Sequence, residues 1–91
     1  MISLDDIEDF SALTREEIRA IAAHEHLPEL DAALLGDYLM HSHHGPQKVH
    51  AMICEDIRTA LRADAPDRAR ALYAVLHHFI EHHPEAARGA G

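Results

Sequence analysis

The sequence predicts an all-α protein, a compact antiparallel bundle of four main helices preceded by a short N-terminal helical turn. Three observations lead there. Apolar residues recur at helical spacing along almost the whole chain, and no stretch alternates with period two. The interruptions are short and carry Pro or Gly, at Leu27-Pro28, Ser42-His43-His44-Gly45-Pro46, Ala65-Pro66 and His83-Pro84. Helices joined by such short connections pack as antiparallel neighbours.

Ser3, followed by Leu4, Asp5 and Asp6, is placed to cap an opening turn whose Leu4, Ile7 and Phe10 would lie on the body of the domain. Thr14-Arg15-Glu16-Glu17 is a capping box, and a helix is expected from Arg15 to about His26. Pro28 suits a first helical turn better than a helix interior, so a second helix is expected from there to about His41, a kinked continuous helix being the other possibility. Residues 42–45 form a turn, and Pro46 opens a third helix to about Ala63. The fourth runs from about Asp67 to His82 and stops before Pro84. Residues 1–84 then make one domain, with 85–91 a flexible tail of mostly small residues.

Composition excludes several classes of function. Sixteen Asp and Glu against 8 Lys and Arg give a formal charge of −8, the wrong sign for a nucleic-acid surface. No apolar stretch approaches the roughly 20 residues needed to cross a bilayer, and the acidic run Met1–Phe10 lacks the basic start of a signal peptide. One cysteine, Cys54, excludes a disulfide within the chain and suits a reducing compartment, so a cytoplasmic location is expected. Glycines at 36, 45, 89 and 91 make no phosphate-cradling loop. With no Trp and an aliphatic core, a homodimer that buries further apolar surface is expected.

The ten His outnumber all Lys and Arg, and their full protonation would carry the formal charge from −8 to +2. On helical wheels, Glu25 continues the stripe of Ile18, Ile21 and Ala22, Asp56 and His50 flank the stripe Val49, Ile53, Ile57 and Ala60, and His41 continues Leu30, Leu34 and Tyr38. Charges on an apolar stripe are costly unless paired or coordinated. Glu25, His41, His50 and Asp56 are therefore candidate metal ligands, and His78, Glu81 and His82 on the fourth helix form a second candidate set. Mixed nitrogen and oxygen donors favour a transition metal, Fe or Zn ahead of Ni or Cu. Haem is a lesser option, with His50, Met52 and Cys54 as softer ligands. Alternating helix directions would gather eight of the ten His at one pole, and the expected role is metal storage, sensing or an accessory function without catalysis.

A second expectation competes. The His clusters at 24–26, 41–44 and 82–83 all precede a proline, where helices end, and imidazolium caps the last carbonyls of a helix favourably. The chain would then be an interaction module that associates with itself or another protein through Leu34, Leu35, Leu39 and Met40, with His as caps or a pH-responsive element. The string His24-Glu25-His26-Leu27-Pro28 is not the HExxH of a zinc hydrolase, because the second His is missing.

Overall fold

The computed structural model describes residues 13–88, and they contain helices and no strand. The opening turn expected near residues 3–10 lies outside the described residues. Helix α1 (Arg15–Glu25) begins at the capping box: Glu17 N–H donates to Thr14 Oγ1 at 3.3 Å, and Thr14 N–H donates to Glu17 Oε1 at 2.8 Å. It ends at His26 in the left-handed region (φ 56°), whose N–H donates to Ala22 O. His enters that region more readily than most side chains, which explains its use as a stop here. Leu27 and Pro28 redirect the chain, so α2 (Glu29–Met40) is a separate helix and not a kinked continuation.

The end of α2 is closed by side chains. His41 Nδ1–H donates to Asp37 O at 2.8 Å and Ser42 Oγ–H to Tyr38 O at 2.7 Å, supplementing the long bonds of 3.3 and 3.2 Å that the His41 backbone N–H gives the same two carbonyls. A second left-handed residue, His44 (φ 62°), turns the chain into α3 (Gly45–Arg62), which carries Pro46 in its first turn. Asp64 (φ 57°) lies in the next connection, before α4 (Pro66–His82). A further turn, α5 (Glu85–Arg88), follows Pro84. Residues 85–88 of the expected tail thus form a helical turn. Pro84 ends α4, yet Ala86 is buried in the core and Gln47 Nε2–H donates to Glu85 O at 3.0 Å, fastening the turn to the start of α3.

That bond also establishes topology. The chain leaving α4 meets the first turn of α3, so these two consecutive helices run antiparallel and form the largest interface, with the α1–α2 pair next. Ile18, Ile21, Val49, Ile53 and Phe79 meet at the centre with almost no exposure. Burying each such side chain is worth about 1.5–3 kcal/mol, which outweighs the roughly 0.5 kcal/mol that β-branched residues cost a helix. The stripes expected on α1, α3 and α4 are the ones buried, with Ile57, Val75 and Leu76 half-buried at their edges.

Helix α2 is oriented differently from expectation. Ala32, Ala33, Gly36 and Leu39 are buried, whereas Leu30, Leu34 and Tyr38 are 40%, 55% and 68% exposed. Apolar residues surround this helix, so hydrophobicity alone does not choose its inner face. Size does: the small face lets α2 approach Leu13 and Ile21, which lie against Gly36.

Candidate functional site

The expected metal ligands are distributed over the molecule. Glu25 ends α1 in solvent. His41 is exposed, capping its own helix and lying 3.6 Å from Asp37 Oδ1. His50, half-buried on α3, faces Cys54 Sγ at 3.7 Å. Glu81 is exposed and pairs with His77 Nδ1 at 3.1 Å. The four candidates Glu25, His41, His50 and Asp56 are thus not presented as one cluster: among the described residues no three His, Cys, Asp or Glu side chains are grouped to hold an ion. The chain after α4 does return to the start of α3, but His50 and His78 near these ends have different partners, Cys54 and Glu17.

Two places concentrate the polar chemistry. At the first, His78 and His82 on successive turns of α4 stack with ring centroids 4.1 Å apart and planes inclined by 26°. His82 Nδ1 lies 3.0 Å from His78 O, and a carbonyl only accepts, so Nδ1 carries the hydrogen. His78 Nδ1 lies 3.2 Å from Glu17 Oε2, and an ionised carboxylate likewise only accepts. In its neutral form each ring is accordingly the Nδ1–H tautomer, with the lone pair on Nε2. Glu17 itself is 1% exposed, its other oxygen holding the capping bond from Thr14. A shallow cavity of about 240 Å³ opens beside this group, lined by Thr14, Glu16, Glu17, Ala74, Val75 and His78.

Sequence reasoning found His78 and His82 but took Glu17 only as a helix cap. A usable signal existed, because Glu17 lies four residues before Ile21 and so at the edge of the buried stripe.

The second place is a cleft of about 380 Å³ lined by Ala23, His24, His26, Glu55, Asp56, Thr59 and Arg68. His24 Nε2 lies 3.6 Å from Glu55 Oε2. Its Nδ1 and Asp56 Oδ2 are both shielded from solvent and have no hydrogen-bond partner among the described residues. Burial raises the Asp56 carboxyl above its ordinary value and nearby Glu55 adds to this, against the opposing pull of His24, Arg68 and His26. The sign of the stability effect follows. A raised folded value means that the folded state binds the proton more tightly, so the stabilisation is complete below about pH 3.8 and is lost as pH rises through the folded value. Asp56→Asn, which carries no charge to desolvate, should therefore melt at a higher temperature than the parent at pH 7. That advantage should shrink as pH falls toward 4; thermal melts showing the same difference at both values would contradict the assignment.

Comparison with known proteins finds no family model, no curated protein and no solved structure that matches this chain.

Proposed function

We propose that the protein is a small helical module that binds a divalent transition-metal ion through Nε2 of His78 and His82. The observation that carries this reading is that Nδ1 of each ring faces an acceptor, Glu17 Oε2 at 3.2 Å and His78 O at 3.0 Å, which leaves Nε2 as the free ring nitrogen. Metal-ligating histidines characteristically donate their other ring N–H to a carboxylate or a backbone carbonyl, and His78 and His82 have one of each. His78 and His82 stand four residues apart on successive turns of one helix, a spacing from which two imidazoles can reach one ion once their rings turn out of the 4.1 Å stack. Neutral imidazole suits Zn, Ni, Cu and Fe over Ca or Mg. Two protein ligands leave positions for water or for a donor on another molecule, an arrangement that suits exchange or sensing of the ion more than closed storage.

Helix capping alone explains the His82 bond to His78 O, so Glu17 is the residue that discriminates. In Glu17→Gln the side-chain oxygen still accepts from Thr14 N–H. The amide NH₂ now faces His78 Nδ1, which must accept, and the ring hydrogen moves to Nε2. Calorimetric titration of untagged protein with Zn²⁺ or Ni²⁺ should show affinity falling about 10- to 100-fold in Glu17→Gln, with the helical circular dichroism retained. His82→Ala should lose at least as much, while His77→Ala, whose ring is tied to Glu81, should bind as the parent does. Equal affinity in Glu17→Gln and the parent, or equal losses from His77→Ala and His82→Ala, would reduce the metal to casual binding by a His-rich surface.

A further inference from the structure

Helix α2 leaves an apolar ridge exposed, outside the buried core of the described residues. Leu30, Leu34 and Tyr38, four residues apart, are 40%, 55% and 68% exposed, while the opposite face packs inward through Ala32, Ala33, Gly36 and Leu39. At about 100° per residue the three ridge residues span roughly 80° of the helix. Asp37 falls about 20° outside Leu30, and Asp31 about 20° beyond Tyr38, so a carboxylate borders the ridge on each side. No Lys or Arg occurs in sequence between Arg19 and Lys48; Arg19 Nε of α1 is engaged by Glu29 Oε1 at 3.2 Å, and His41 Nδ1 is 3.6 Å from Asp37 Oδ1.

We infer that this ridge is a docking surface for a basic amphipathic helix of another protein, one with an apolar stripe about two turns long and Lys or Arg on both sides of it. Charge selects that occupant. A second copy paired antiparallel about Leu34 would line one edge of the contact with Asp31 of both copies and the other with Asp37 of both, between chains that each carry −8. Residues 1–12 offer Leu4, Ile7 and Phe10 but with Asp5, Asp6, Glu8 and Asp9 and no Lys or Arg, so they repel the same two carboxylates. Phosphate-bearing surfaces, whether nucleic acid or anionic bilayer, are repelled likewise. A basic helix instead places cations at both acidic edges while its apolar side chains fill the spaces between Leu30, Leu34 and Tyr38. The ridge lies on α2 and makes no use of the His78–His82 pair, so the proposal stands independently of metal binding.

Two labelled helical peptides of about 15 residues with the same Leu stripe, one flanked by Lys and the other by Glu, test this by fluorescence anisotropy against the full chain. The Lys peptide should bind at least about tenfold more tightly than its Glu twin. Leu34→Asp should weaken the Lys peptide by about tenfold or more even though it makes the protein more negative, because it removes the centre of the ridge. Leu61→Asp, at an exposed apolar position on α3, adds the same charge and should leave binding intact. Equal binding of the two peptides, a Leu34→Asp variant that binds as well as the parent, or equal losses from the two Asp variants would overturn the inference. So would a concentration-dependent dimer in sedimentation that Leu34→Asp dissolves, which would assign the ridge to a second copy.

Discussion

Phe79→Ala is expected to cost about 3–5 kcal/mol. The ring is fully buried, the largest side chain with no exposure, and lies in the core with Ile18, Ile21, Val49 and Ile53. Removing it forfeits the transfer energy of the ring and leaves a void that four surrounding helices cannot all close upon. A chain of this length has a total stability of about 5–10 kcal/mol, so the loss takes a third of it or more. Urea unfolding followed by helical circular dichroism should show the midpoint falling accordingly, with Phe79→Leu holding within about 1.5 kcal/mol of the parent. An alanine variant within 1 kcal/mol would mean that α4 does not pack through this residue. The consequence reaches the proposed metal clamp, because Phe79 sits between His78 and His82 on α4 and its ring lies 5.0 Å from that of His83.

Gly45→Ala should be comparably disruptive for a different reason. The chain doubles back so tightly between α2 and α3 that a β-carbon at Gly45 would overlap the carbonyl group of Leu39 and come within 3.0 Å of Leu39 Cα. Backbone cannot rotate aside as a side chain can, so either α2 gives up its last turn or α3 moves off the core. A cost of about 3 kcal/mol or more is expected, read as a drop in melting temperature. Gly36→Ala is the informative contrast. Its new methyl would meet Leu13 Cδ1 at 2.6 Å and Ile21 Cδ1 at 3.1 Å, both ends of flexible side chains. The gain in helix propensity of roughly 1 kcal/mol offsets much of that repacking, and the melting temperature should change little. A Gly45 variant as stable as the Gly36 variant would show that the turn opens freely.

The positions of the helices were legible because capping and chain-breaking act locally. Thr14 and Glu17 close the start of α1 through bonds three residues apart, and Pro28, Pro46, Pro66 and Pro84 each stand at a boundary whatever surrounds them. The inward stripes of α1, α3 and α4 were legible for a related reason, since each helix has one apolar side and one polar side. On α2 that reasoning failed. Leu30, Leu34 and Tyr38 form the more hydrophobic stripe yet face outward, because close approach to α1 rewards the small residues Ala32, Ala33 and Gly36. The candidate site divides in the same way. The spacing of His78 and His82 is visible in one helix, whereas the carboxylate beside His78 comes from a residue 61 positions earlier in the chain.

What the amino-acid sequence determined alone is the all-helical class, the four main segments and the excess of acid and imidazole, because these depend on composition and on neighbours within a turn or two. What the tertiary structure decided is which side chains share a site: it separated Glu25, His41, His50 and Asp56, set Glu17 beneath His78, turned the ridge of α2 outward and folded 85–88 onto α3. The physical reason is that a helix presents several faces of similar energy. Which one is buried depends on the volume and shape its neighbours leave, a property of the packed assembly that no single segment carries.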